Sequence, residues 1–106
     1  MIEANVEVRS EGDQVCLVLS GDVDLSNAPL VQAQVSSAIP NHATDVDLDL
    51  TNVTYLDSAG LQIIFSLAVQ LRRLQIGLRV IAPRRTPAGH AIVMSGMSSL
   101  ANVESD

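Results

Sequence analysis

Asp57-Ser58-Ala59-Gly60 precedes an apolar run at helical spacing, and Ser58 is the side chain in this chain with the clearest chemical use. A serine at that point is a natural helix N-cap, its hydroxyl accepting from a backbone N–H two or three residues on. On spacing alone the cap is the simpler reading, because no Gly-x-Ser-x-Gly frame surrounds Ser58 to make it a nucleophile. The alternative is a phosphoacceptor. A phosphate at a helix N-terminus meets unpaired N–H groups and the positive dipole end, worth about 0.3–1 kcal/mol, and adds about −1.5 to −2 charges. The helix survives, while a partner docked on it meets like-charge repulsion or a desolvation cost.

Other chemistry-bearing residues carry less. His42 sits in a Pro40-Asn41-His42 loop and His90 in a helix, with no second His or Cys at ligand spacing, so no metal is expected. Neither histidine has an evident acid to orient it, which disfavours a hydrolase built on Ser58. Asp45, Asp47 and Asp49 alternate along a strand without the Gly turn and later Glu of a calcium loop, so they read as a wet strand face. Cys16, inside an apolar strand and with no basic neighbour in view, reads as a buried small residue. Arg84 and Arg85 read as a solvated loop. Asn52-Val53-Thr54 fits a glycosylation sequon but lacks a visible secretory signal to give it a pathway.

These residues need elements to hold them. Residues 5–9 and 14–20 alternate around Glu11-Gly12-Asp13 and predict a β-hairpin, with Gly21 breaking the second strand. Ser26 or Asn27 can cap a helix that tolerates Pro29 in its first turn and stops at Pro40. Asp45 to Leu50 is a period-two strand, Thr51 to Asp57 a connection, and 58–75 a helix with Leu61, Ile64, Phe65, Ala68 and Leu71 on one face. Leu78 to Ala82 predicts a fourth strand, 86–95 a third helix ended by Gly96, and Leu100 to Val103 a short last strand. The order is α/β: a single domain over 1–106, a mixed sheet of about five strands with about three helices packed on it. Right-handed crossovers put Asp57 and Ser58 at a strand's carboxyl end, where such folds carry function.

Composition bounds the partners. The chain has 106 residues, 47% hydrophobic, enough for one core and too apolar for disorder. Six basic residues, all Arg, oppose twelve acidic ones for a net charge of −6, which argues against nucleic acid and fits a basic partner surface. Tyr55 and Phe65 are the whole aromatic complement, so there is no platform for stacking bases and no bilayer belt. The apolar run from Leu61 to Leu71 is interrupted by Gln62, Ser66 and Gln70 and too short for a bilayer, so no membrane insertion is expected. One cysteine excludes an internal disulfide, and cytoplasmic residence is the expectation.

Three segments, Gly21-Asp-Val-Asp-Leu-Ser-Asn-Ala-Pro29, Val46-Asp-Leu-Asp-Leu50 and Leu56-Asp-Ser-Ala-Gly-Leu61, stand in an order and spacing that resemble the STAS domain family, nearest to its bacterial anti-sigma factor antagonists. The resemblance covers residues 5 to about 103. It implies that Ser58 is phosphorylated by an anti-sigma factor that is also a serine kinase, and that a phosphatase reverses this. The unphosphorylated form would bind the anti-sigma factor and release the sigma factor, and the phosphorylated form would not bind. The chain would then be a ligand and a substrate, neither an enzyme nor the holder of a cofactor. The family's acids beside the acceptor map onto Asp22 and Asp24, with Asp at 22 where Glu is usual. The expected partner face is Asp22, Asp24, Ser26 and Asn27 together with Asp57, Ser58, Ala59, Gly60 and Gln62.

Ala59 replaces a frequent second hydroxyl, leaving Ser58 alone at this helix start. Many members continue past the position of Asp106 into a final helix, and its lack can favour self-association into a homodimer or partner docking. The competing reading is a non-catalytic STAS scaffold in a transport or stress-signalling complex, which fold alone does not exclude.

Overall fold

Apolar residues recur at every second position of three consecutive segments, and the sheet they build sets everything else in place. The computed structural model describes residues 3–106; Met1 and Ile2, the start of the stretch read for a leader, lie outside it. The elements are β1 (Asn5–Glu11), β2 (Gln14–Val23), α1 (Ala28–Ala38), β3 (Asp45–Leu56), α2 (Ser58–Arg73), β4 (Gly77–Ile81), α3 (Pro87–Ser95), a 3-10 turn at Met97–Ser99 and β5 (Asn102–Glu104). The strands lie side by side in chain order, β1 antiparallel to β2 and the others parallel.

Each parallel step moves to the next strand in the same direction, so right-handed crossovers put all three helices on one face. That face is the core. Val15, Leu17 and Leu19 of β2, Val46, Leu48 and Leu50 of β3 and Val80 of β4 are buried against it. From the helices come Val31 and Val35 of α1, Ile64, Leu67, Ala68 and Leu71 of α2, and Ile92 of α3. The 3.6-residue period of α2 thus meets the two-residue period of the strands. The opposite sheet face carries Glu7, Arg9, Cys16, Asp47, Asp49 and Arg79 without a helix over it.

Five expectations need correction. Thr51 to Leu56 is strand, because Val53 turns into the core between solvated Asn52 and Thr54, and the threonines and Tyr55 suit extended backbone. Gly21 does not end β2: it sits at φ 84°, beside a register irregularity, and the strand goes on to Val23. Asp47 lies on the open face but is not itself wet, being only 9% exposed beneath Arg79. Cys16 is half-buried on the open face rather than in the core, because the core face of β2 belongs to Val15, Leu17 and Leu19. It does have basic neighbours, since Arg9 stands opposite it in register and Arg79 lies on the far side of its neighbour Asp47. The fifth, the cap of α2, belongs to the site.

The hairpin, Pro29 in the first turn of α1 and the left-handed Gly96 after α3 stand as expected. Among the described residues no helix is long and apolar enough to cross a membrane.

Candidate functional site

The last residues of β2 and β3 carry two loops to one end of the sheet. Asp22 pairs in register with Tyr55 and Val23 with Leu56, so the chain after β2 and the chain after β3 emerge side by side. Residues 24–27 then fold into a loop held by side chains. The Asp24 carboxylate accepts from the Ser26 N–H at 2.9 Å and from the Ser26 hydroxyl at 2.5 Å. The Asn27 side chain spans the loop: its oxygen accepts from the Asp24 N–H at 3.0 Å and its nitrogen donates to the Asp22 carbonyl at 2.8 Å. Asn27 occupies the N-cap position of α1, yet its side chain makes no cap bond because it is used in this loop.

Asp57 joins the two loops. One carboxylate oxygen caps α2 by accepting from the Gly60 N–H at 2.9 Å, and the other accepts from the Leu25 N–H at 3.1 Å. Asp57, not Ser58, is therefore the N-cap. The carboxylate offers two acceptor oxygens where a hydroxyl would offer one atom, and the geometry needs two acceptors. The correction releases Ser58: it is the first residue of α2, exposed, and its hydroxyl has no protein partner among the described residues.

Of the remaining expected residues, Ala59 is half-buried and Gln62, one turn along α2, is exposed. Gly60 is buried and approaches β2 closely: a Cβ there would stand 2.6 Å from the Val23 carbonyl oxygen and from Leu56. It seats the helix start. Asp22 is half-buried and accepts from the Thr54 hydroxyl at 2.6 Å. The site thus brings together Asp22, Asp24, Ser26, Asn27, Asp57 and Ser58, with Gln62 a turn further along the helix.

Sequence reasoning missed Thr54, which anchors Asp22, and the apolar residues around the loops. Leu25 is 77% exposed although its N–H is fixed on Asp57, Leu30 is 62% exposed on α1, and Tyr55 is 51% exposed at the end of β3. An isolated Leu inside the polar Asp24-Leu25-Ser26 loop was the available signal, since a loop that only turns the chain has no need of one.

The site is rich in carboxylates, and those of Asp24 and Asp57 are held by backbone N–H groups and a serine hydroxyl. Arg9–Glu7, Arg79–Asp47 and Arg79–Glu104 form ion pairs on the open sheet face. Among the described residues no three His, Cys, Asp or Glu side chains are grouped to hold a metal ion. His42 follows α1 and precedes β3, at the opposite end of the twelve-residue β3 from Ser58, so it is not a base for that hydroxyl.

Comparison with known proteins agrees with this architecture. Residues 6–101 match the family model described as "Mlab, STAS domain". A protein of Bordetella bronchiseptica named as an anti-sigma factor antagonist, BtrV, is 30% identical over 82 residues, 77% of this chain and 70% of that one. Among solved structures, an anti-sigma factor antagonist from Mycobacterium paratuberculosis superposes with a TM-score of 0.83 at 22% identity, covering 95% of this chain and 85% of that one. The phosphorylated form of the Bacillus cell fate determinant SpoIIAA superposes at 0.70 with 15% identity, covering 96% and 93%. With nearly the whole sheet and its helices matched by the family model, the chain belongs to the STAS domain family.

Proposed function

We propose that this chain is an anti-sigma factor antagonist whose binding is switched off by phosphorylation of Ser58. The observation that carries the reading is a free, exposed serine hydroxyl at the first position of α2, beside carboxylates that are held by backbone N–H groups and hydroxyls. The relative from Bordetella bronchiseptica, by its name, adds the partner class. In this reading the unphosphorylated face, Asp22, Asp24, Ser26, Asn27, Asp57 and Ser58 to Gln62, docks on an anti-sigma factor that is also a serine kinase, and a phosphatase restores it. Leu25, Leu30 and Tyr55 supply apolar contact, as the cores of protein interfaces do, and the Asp24 and Asp57 carboxylates, held by N–H groups and a hydroxyl, favour a basic partner surface.

The switch follows from charge. A phosphate on Ser58 gains from the α2 dipole but stands next to the Asp57 carboxylate. The fold is kept, because Asp57 and not Ser58 caps the helix. The surface gains about −1.5 to −2 charges, and a partner that accepted the serine meets a group it must desolvate or repel. The chain acts as ligand and phosphoacceptor rather than catalyst, and works in the cytoplasm.

The test is the intact mass of the protein from its native cells, with peptide mapping across residues 51–72. Phosphate on Ser58, and its loss in Ser58→Ala incubated with the cognate kinase, is the expected result. Ser58→Asp should weaken binding to the anti-sigma factor about tenfold or more while leaving the melting temperature nearly unchanged. Ser58 unmodified under all growth conditions, with a membrane permease co-purifying, would overturn the reading in favour of a scaffold.

A further inference from the structure

The hairpin leaves β1 at one edge of the sheet, seven residues long, with all but Val6 exposed. Long open edges are normally blunted by charge, prolines or bulges. β1 has charges, but in an order that selects a partner instead of refusing one. We propose that two copies of this chain pair through β1, antiparallel about a two-fold axis at Val8, to make one continuous ten-stranded sheet.

The phase of the backbone comes first. Glu11 and Gln14 close a two-residue turn that opens with Gly12 at φ 61°, the form in which the flanking residues are a hydrogen-bonded pair. Bonded and non-bonded pairs alternate from there, so Glu11, Arg9, Glu7 and Asn5 bond to β2, while Ser10, Val8 and Val6 direct their N–H and C=O groups outward. A second strand can bond only to these. With Val8 opposite Val8, Val6 falls opposite Ser10 on both sides, and all three outward residues find partners through about six hydrogen bonds.

The side chains select the same register. Centring on Val8 places Glu7 opposite Arg9 and Arg9 opposite Glu7, at the non-bonded positions where cross-strand side chains come closest. Asn5 then faces Glu11. Sliding the pairing by two residues one way puts Glu7 against Glu7, and the other way puts Arg9 against Arg9. Glu7 and Arg9 already lie together on one face of the strand, 3.2 Å apart, so the dimer would hold four charges alternating around a square. On the other face Val8, 45% exposed in the monomer, would meet its own copy. Equivalent patches meeting about a two-fold axis form a closed, isologous contact.

The pairing does not depend on the anti-sigma reading, since Ser58 follows β3, two strands from this edge. Sedimentation equilibrium of the full chain up to about 1 mM is the test, because an edge contact of this size is a weak one. A reversible dimer is expected. Glu7→Arg and Arg9→Glu should each weaken it about tenfold, by turning both cross-strand pairs repulsive. Mixed in equal amounts, the two variants should associate again, since each then offers the charges the other lacks. Both side chains are more than half exposed, so the fold should tolerate either change, which far-UV circular dichroism would verify. Ser58→Asp should dimerise like the unmodified chain. A monomer at every concentration, or a mixture that associates no better than either variant alone, would overturn the proposal.

Discussion

Two groups of aspartates sit on the same sheet and are used in opposite ways. On the open face Asp47 is 9% exposed and lies under Arg79, whose guanidinium holds it through two hydrogen bonds of 2.8 and 3.2 Å and reaches Glu104 at 2.9 Å. Those two acids in turn raise the Arg79 pKa, keeping it charged. At the carboxyl end of β2 and β3, Asp24 and Asp57 are satisfied by backbone N–H groups and a serine hydroxyl, and Asp22 accepts from Thr54. A cation cancels the field of a carboxylate; an N–H donor fixes its position and leaves most of its charge to be felt outside. The first arrangement joins strands, and the second leaves carboxylate charge beside Ser58.

Gly60→Ala should disturb the second arrangement most. Its Cβ would meet the Val23 carbonyl at 2.6 Å, and backbone does not yield as a side-chain tip would. We expect a loss of about 2–3 kcal/mol and a melting temperature lower by about 10 °C or more. A variant melting like the unmodified chain would mean that α2 is not seated tightly on β2. Asp57→Ala comes next, at about 1–2 kcal/mol, since it removes the cap of α2 and leaves the Leu25 N–H without its acceptor. Asp57→Asn keeps one acceptor oxygen and should cost less than half as much. Equal losses for the two would show that charge, not hydrogen bonding, sets this residue's contribution.

Asp47→Ala should cost less than Asp57→Ala, about 0.5–1 kcal/mol, although Asp47 is the more buried acid. Arg79 keeps Glu104, its side chain is 40% exposed, and water screens much of the pair. The loss should also shrink in about 1 M salt, whereas the Asp57→Ala loss should not. Thermal melts of both variants at low and high salt separate the two uses of an aspartate directly.

Much of this was legible in the sequence. The α/β order, the hairpin and α2 followed from period and turn residues, and Asp57-Ser58-Ala59-Gly60 marked the helix start. The end of β3 was not legible, because Thr51-Asn52-Val53-Thr54 contains turn-forming residues and shows its strand character only when paired with the irregular end of β2. The choice between Asp57 and Ser58 as cap was equally closed, since both are good cap residues and the deciding bond comes from Leu25, thirty-two positions away. Asp47 could not be separated from Asp45 and Asp49 by pattern, because its partner Arg79 is brought in by the neighbouring strand.

Cys16 gives the smallest and most local test of the open face. The run Val15-Cys16-Leu17-Val18-Leu19 is apolar on both faces, so the sequence alone did not say which way the thiol points. Burial pushes its pKa up, Asp47 and Asp49 push it further, and the opposing pull of Arg9 and Arg79 is weaker. The folded state therefore favours the protonated thiol, a contribution fully present below the ordinary thiol value and lost as pH rises through the raised one. Less thiolate at pH 7 to 8 means slower alkylation than for an unhindered cysteine, with a rate that climbs only above the ordinary thiol range. Asp49→Asn removes one of the two acids and should bring that climb to lower pH, whereas Asp57→Asn, at the far end of the sheet, should leave it where it is. Iodoacetamide labelling against pH reads both, and a thiol that reacts fully at neutral pH would mean that the acids of the open face are more completely neutralised by Arg79 and Arg9 than their geometry implies.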